Sequence, residues 1–449
     1  MSDSTKPIQL QSKYLRNYLE AVEDTESPRL FHVWAALSAV SASLGRRCWL
    51  PFGPAVIYPN QFVLLVGHPG TRKSAAMNFA RKRVSNATNV RFAPQDTSGQ
   101  RQGLVKAMGA TPDERMELNG RPLSEDEDLG LGVSIDDLMN VTDGKTPEEA
   151  VASQDKHHMY VATGEFTQLI GQNNFQMLQF LLGMWDGDEY EYQLKNEFIK
   201  LENPLMNILG CTTPASIAAS MPNAADGQGF LSRVILVNGS EKYKLVPRPT
   251  VPDSAKLLEI EATLTKINTD FHGAFTESPA AFKFSEELYS YAPQIVDSRF
   301  ASYVQRRYTH LLKLGMILAA CRKSMQIEVE DYEEAQEILR ITEMEMPDAL
   351  GQFGLSLLSQ VKQDVLEFIR RVDGPVPLKT IRSVYHKDVK MRELDELLGD
   401  LLTANLLVRE QVNKTGEAGE IIFMAVKQSK ETTKTANAEE LLQNLIEAT

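Results

Sequence analysis

Cysteine is scarce in this chain. Three residues in 449, Cys48, Cys211 and Cys321, lie far apart and without C-x-x-C spacing. That excludes a disulfide framework and argues against a zinc site. His157-His158 stand without companion ligands and are read the same way. Long apolar runs are also missing: no stretch could span a bilayer, and residues 1–14 hold no apolar signal core. The expectation is a soluble protein of the cytoplasm. Positive charge is in deficit, with 47 Lys and Arg against 60 Asp and Glu and a net charge of −13. A surface coated in positive charge is therefore excluded, and any nucleic-acid contact must run through a local basic surface such as a channel. What is present is ordinary for a globular protein, at 43% hydrophobic and 24% charged residues. The length predicts two to four domains with a sizeable core.

The most informative segment runs from Phe62 to Ser74, FVLLVGHPGTRKS. An apolar, partly β-branched run breaks into a glycine turn, and Lys-Ser opens a helical stretch over Ala75–Val84. Strand, glycine turn and helix N-terminus together aim backbone N–H groups at one spot with the helix dipole behind them. That is a phosphate cradle built from Gly67, Pro69, Gly70, Thr71, Arg72, Lys73 and Ser74, with Lys73 for the β/γ-phosphates of ATP and the Ser74 hydroxyl for Mg²⁺. The usual pattern is G-x-x-x-x-G-K-[ST]; Arg72 stands where the last glycine belongs.

Around this segment the chain divides into an N-terminal helical region (1–59), a nucleotide-binding α/β core (60–245), a helical region (246–355), a small C-terminal domain (356–426) and a polar, flexible tail (427–449). Residues 13–50 read as helices, with Trp34, Leu37, Val40 and Leu44 at helical spacing. Within the core, residues 111–150 hold twelve Asp and Glu against three Lys and Arg, a solvated insertion. Long amphipathic stretches at 301–322 and 331–345 dominate the helical region. Helices at 360–371, 378–385 and 391–402, then a hairpin over 406–410 and 420–426, make the small domain a winged helix.

Several further residues carry chemistry in this order. The strand Met159–Thr163 runs into Gly164-Glu165, where an ATPase places its water-polarising carboxylate. The usual pair is Asp-Glu, so Glu165 is the catalytic candidate and Gly164 replaces the metal-supporting Asp. The strand Pro204–Cys211 ends in Thr212-Thr213, and Thr213 is the candidate γ-phosphate sensor. Before it, residues 189–200 alternate around Lys195-Asn196 as a β-hairpin. Arg233, at a helix-to-strand edge, is a candidate arginine finger for a neighbouring subunit, against the bland reading of a surface ion pair. Arg306-Arg307 open an amphipathic helix, where cations oppose the helix dipole; phosphate contact and plain solvation both explain them.

This series resembles the AAA+ ATPases with a hairpin before the sensor strand, nearest to minichromosome-maintenance-type helicases and the replication helicases of phages and mobile elements. The resemblance spans about residues 59–426 and rests most on 59–74, 209–214 and 229–233. It implies a P-loop AAA+ core with a helical lid, followed by the winged helix. It further implies a homo-hexameric ring that hydrolyses ATP with Mg²⁺ at subunit interfaces and moves single-stranded or forked DNA, in a bacterial host's cytoplasm if phage-encoded. Lys73 and Ser74 then bind phosphate and Mg²⁺, Glu165 polarises water and Thr213 is the first sensor. Arg233 is the trans finger, and Arg306 or Arg307 the second sensor. Lys195, with Asn196 and Lys200, lines the pore and touches DNA. Other replication proteins could dock on the winged helix or tail. Three other readings stay open: a RecA-like hexameric helicase, an AAA+ loader or initiator that unwinds nothing, and a scaffold ring that only binds ATP.

Overall fold

Five apolar residues, Phe62 to Val66, make a strand with every side chain buried, and the protein is organised around it. The computed structural model describes residues 12–94, 100–110, 155–193, 198–220, 229–290, 295, 297–351, 357–372, 374–412 and 420–426. The acidic insertion, the hairpin tip with Lys195 and Asn196, and the tail lie outside them. The chain forms two units that meet in sequence at Gly351 and Gln352.

The first unit begins with α1 (Lys13–Ala21), α2 (Arg29–Leu44), β1 (Cys48–Phe52), β2 (Ala55–Ile57), β3 (Phe62–Val66), α3 (Lys73–Ala87) and α4 (Arg101–Gly109). Then come β4 (His158–Thr163), α5 (Phe166–Ile170), α6 (Phe175–Asp186), the strands β5 (Tyr190–Gln193) and β6 (Phe198–Leu201), β7 (Leu205–Thr212) and α7 (Pro214–Ser220). A short turn leads into β8 (Val234–Asn238), and α8 (Ser254–Asp270), α9 (Pro279–Tyr289), α10 (Ala301–Cys321) and α11 (Val329–Leu350) complete the unit.

The central sheet is parallel, in the order β4-β7-β3-β8, so this is a mixed α/β fold. A parallel bridge between Phe92 and Tyr160 extends it beyond β4. Strands β3, β7 and β8 are buried along their whole length, as continuous apolar strands covered on both faces must be. Helix α2 is buried at all sixteen positions. Its serines are satisfied internally: Ser38 Oγ lies 3.0 Å from Tyr160 Oη, and Ser41 Oγ donates to Asn207 Oδ1 at 2.5 Å. The helical reading of residues 13–50 fails at its end. The chain leaves the helix at Gly45 (φ 60°), and Cys48–Phe52 is a strand paired with β2 and with Gly273–Ala274.

The helices expected as a lid belong to the same unit as the sheet. Helix α8 packs on α1, α2 and α3, and α11 packs on β8. Trp34 Nε1 donates to Thr342 Oγ1 at 2.8 Å, tying α2 to α11.

One buried ion pair holds the base of the sheet. Arg47 donates to the Asp155 carboxylate and to the Phe271 carbonyl (3.2 Å), and Arg46 N donates to Asp155 at 2.7 Å. Burial pushes the Asp155 carboxyl upward, but Arg47, His158 and the Arg46 N–H overcome it and hold it below the ordinary range. Removing one partner strands a charge out of water. Arg47→Ala or Asp155→Ala is therefore expected to cost about 3–5 kcal/mol in denaturant unfolding.

The second unit contains α12 (Leu357–Val372), α13 (Leu378–Tyr385) and α14 (Met391–Thr403). It also has a three-stranded antiparallel sheet of β9 (Val376–Pro377), β10 (Leu407–Val412) and β11 (Glu420–Ala425), in which β11 is central. Val365, Ile381, Leu394, Leu401 and Phe423 fill its core. Among the described residues no helix is long and apolar enough to cross a membrane.

Candidate functional site

Parallel strands bring their carboxyl ends to one edge of the sheet, where ligands of open α/β sheets bind. Here that edge carries the turn after β3, Glu165 after β4 and Thr213 after β7. Because β7 lies between β3 and β4, Thr213 stands between the glycine turn and the carboxylate.

The turn is tightly specified. A Cβ at Gly67 would collide with the Gly239 carbonyl oxygen, so only glycine fits, and Gly70 takes φ +93°. Arg72 sits at φ 61°, ψ 27°, the left-handed region. This explains why a glycine is usual there, and arginine holds the position at about 1–2 kcal/mol of backbone strain. Two contacts secure it: Ser27 Oγ donates to the Arg72 carbonyl (2.8 Å), and Arg72 Nε donates to Glu26 Oε2 (2.6 Å). Glu26 also receives Lys242 Nζ at 2.9 Å, and the hydrogen bonds from Arg72 and Lys242 pull its carboxyl down to about 2.

No side chain caps the N-terminus of α3, and its first turn holds no acid. The donors of that turn therefore face the glycine loop, suited to an anion. Lys73 Nζ lies inside the same turn, donating to the carbonyls of Gly67 (2.7 Å) and His68 (3.0 Å). Burial lowers its pKa, while nearby Cys211 and Glu165 oppose the shift. The thiol of Cys211, on β7, is pushed up to about 12 by burial; Lys73 and a hydrogen bond with Ser74 act against this. It stays protonated at neutral pH, a floor beneath Ser74 rather than a nucleophile.

Glu165 adjoins α5, and Thr167 Oγ1 donates to its Oε1 at 2.7 Å, fixing the carboxylate. Gly164 faces Ser74: an added Cβ would stand 3.8 Å from Ser74 Oγ, an ordinary contact. A Cβ is therefore accommodated at this position, with the Met77 Cε at 3.9 Å as its other neighbour. Gly164→Asp, which sets a carboxylate near Ser74, is expected to raise Mg²⁺ affinity at this turn about tenfold, read from an Mg²⁺ titration; no change would show that position 164 does not face a metal position.

Thr213 is partly committed elsewhere, since its Oγ1 donates to Ser216 Oγ (2.8 Å) and receives Ser216 N (3.0 Å) at the start of α7. Arg233 and Arg306 are not beside the cradle. Strands β3 and β8 run in register, with Phe62 opposite Val234 and Val66 opposite Asn238. Arg233 therefore lies at the amino edge, about 16 Å of strand away from the turn. Arg306 joins it there through the shared carboxylate of Asp186. Arg307 is buried in the helical layer, donating to Glu343 Oε1 (2.6 Å) and Gln336 Oε1 (2.9 Å). Its place is structural. Lys200, on β6, lies 3.7 Å from Glu189 and 3.5 Å from Glu202, so its charge is answered locally.

Sequence reasoning missed Glu26, Thr167, Asp186 and Cys211. Thr167 and Cys211, two residues from Glu165 and Thr213, had a local signal; Glu26 reaches the turn, and Asp186 the arginines at the opposite edge, only through tertiary contacts. No protein-family model matches this sequence, and no curated protein is detectably similar to it.

Proposed function

We propose that this chain is an AAA+ ATPase that works as a ring and, like the minichromosome-maintenance-type helicases it resembles, drives movement on single-stranded DNA. One observation carries the reading. The glycine turn, Lys73, Ser74 and Glu165 lie at the carboxyl edge of the sheet, whereas two clustered arginines lie at the amino edge, beyond reach of their own cradle. A second copy set head to tail would bring one edge against the other, and repeating that contact with a rotation that closes makes a ring.

In this mechanism Lys73 and the first N–H groups of α3 hold the β- and γ-phosphates, and Ser74 would hold Mg²⁺, which when bound would neutralise charge on the phosphate oxygens. Glu165, oriented by Thr167, accepts a proton from the attacking water. Thr213, between the glycine turn and Glu165, senses the γ-phosphate from the side. Arg233 and Arg306 of the neighbour answer the charge that develops in transfer.

A loader or initiator is the second reading, and the hairpin's charges favour it. Lys200 is paired, and Glu189, Glu191 and Glu202 surround it, which suits phosphate poorly. We read the second unit as a winged helix, from its three helices and the antiparallel pair β10 and β11. Arg382 there donates to both Asp395 oxygens (2.8 and 2.7 Å), and Lys362 lies 3.0 Å from Asp400. With these cations neutralised, we assign this unit to protein contacts.

ATP hydrolysis with and without single-stranded DNA tests the proposal. Glu165→Gln is expected to bind ATP but turn it over about 10²–10⁴ times more slowly. Wild-type protein that hydrolyses no ATP would overturn the reading, and ATP hydrolysis without fork unwinding would select the loader.

A further inference from the structure

Asp186 gathers an unusual set of cations. Arg233 Nη2 lies 2.5 Å from its Oδ2 and Nε 3.4 Å from its Oδ1, while Arg306 Nη1 lies 3.8 Å from Oδ1. Both guanidinium carbons stand 5.5 Å from the ring centroid of Trp185, the residue before, and Lys313 Nζ stands 3.9 Å from it. Arg233 Nη1 also donates to the Gly229 carbonyl at 3.1 Å. Two arginines thus share one carboxylate, and with Lys313 they share one indole.

Stability alone does not explain this grouping. The two guanidiniums repel: burial lowers the Arg306 pKa first, and Arg233 lowers it further. Lys313 has its own partner in Asn60, donating to Oδ1 at 2.6 Å and to the backbone carbonyl at 3.0 Å. Asp186 is what lets the arginines stand side by side. The Arg306 and Asp186 side chains remain 35% and 29% exposed and that of Arg233 11%, so the cluster opens outward through Arg306, with Arg233 behind it. Its excess positive charge, in planar and permanently charged groups, matches a phosphate oxyanion.

We propose that Asp186 is the positioning residue that presents Arg233 and Arg306 as a pair to the γ-phosphate held by the next subunit, with the Trp185 face limiting their orientation. This rests on the ring reading above. It assigns Asp186 to the arginine-donating half of the interface although it touches no phosphate.

Complementation tests it. Asp186→Asn keeps the side chain's shape and removes its charge. Its kcat for ATP is expected to fall about a hundredfold with KM within twofold, because the cradle lies at the opposite edge. Mixed before assembly with Lys73→Ala protein, it should recover to about a quarter of the wild-type rate, since half the cradles are intact and half of those face an intact arginine pair. Mixed with Arg233→Ala protein it should stay inactive. Asp186→Glu, which retains the charge one methylene further out, should fall between wild type and Asp186→Asn, and it carries the same mixing test if the asparagine protein does not assemble. A kcat within twofold of wild type, recovery with Arg233→Ala, or no recovery with Lys73→Ala overturns the assignment. In each case wild-type ATP turnover leaves the ATPase reading standing; its absence overturns both.

Discussion

Lys73→Ala and Arg233→Ala proteins, each inactive alone, are expected to regain about a quarter of wild-type ATP turnover when mixed in equal amounts before assembly. In the proposed ring mechanism Lys73→Ala empties the cradle of its ammonium, and Arg233→Ala removes a transition-state cation, a change of about 10³–10⁵ in rate for arginines that act across an interface. The recovery follows from geometry. Lys73 follows the carboxyl end of β3 and Arg233 precedes β8, and the two strands run parallel in register. One lesion spoils one edge of a subunit and leaves the other edge sound. Interfaces that combine the sound edges of both proteins carry a whole site. Arg233 is also a buried structural partner of Asp186, so the rival explanation is that Arg233→Ala merely damages the fold. A damaged protein lends nothing to its neighbour, and a mixture with no activity above its separate components would decide for that explanation.

Acid is expected to unfold the first unit well before its carboxylates titrate. His32 and His310 are pulled down to about 3, and His158 to about 4, in each case mainly by burial. Neighbouring cations add to the effect: Arg29 at His32, Arg47 and Arg91 at His158, and Lys313, Arg306 and Arg307 at His310. At His158 the Asp155 carboxylate works the other way. In the unfolded chain each imidazole titrates near its ordinary value of about 6.5. As pH falls below that value the unfolded state takes up protons that the folded state refuses. This stability is complete above about pH 6.5 and drains until the folded pKa values are reached. Three such groups give a slope of about 4 kcal/mol per pH unit, enough to exhaust a typical margin of about 5–15 kcal/mol within a few units. All three tryptophans, Trp34, Trp49 and Trp185, belong to the first unit, so their fluorescence in denaturant titrations at stepped pH isolates it. His158→Gln should lower the slope by one proton. Unfolding midpoints that stay level from pH 7 to pH 5 would sink the prediction.

The parts of this molecule legible in its sequence are those whose determinants are neighbours along the chain. Phe62–Val66 and the Lys-Ser start of α3 are read locally, and so are the paired strands at 190–193 and 198–201 and the helices and strands of residues 357–426. The reading failed where a distant partner decides. Cys48–Phe52 looks like the end of a helical run, yet Gly273–Ala274 and β2 draw it into a sheet. Residues 246–355 read as a helical lid from their own pattern, and that pattern does not show that α8 and α10 pack on α2, a helix buried on all sides. At the site, Arg72 was visible as a departure from pattern, but its support by Glu26 links residues 46 positions apart. Arg306-Arg307 show the limit most clearly. Two adjacent arginines are indistinguishable in sequence, and a helical turn of about 100° separates a side chain facing Asp186 from one sunk against Glu343.

The Glu26 carboxylate also joins three stretches of chain that the sequence keeps far apart: the linker between α1 and α2, the entrance to α3, and, through Lys242 and the Val246 N–H, the segment that leaves β8. Trimming the protein from its front end through this linker would remove the brace from a residue whose backbone twist favours glycine. A shortened form with a slack or misshapen turn before α3 would then be a predictable artefact of the trimming, and not a property of the intact chain.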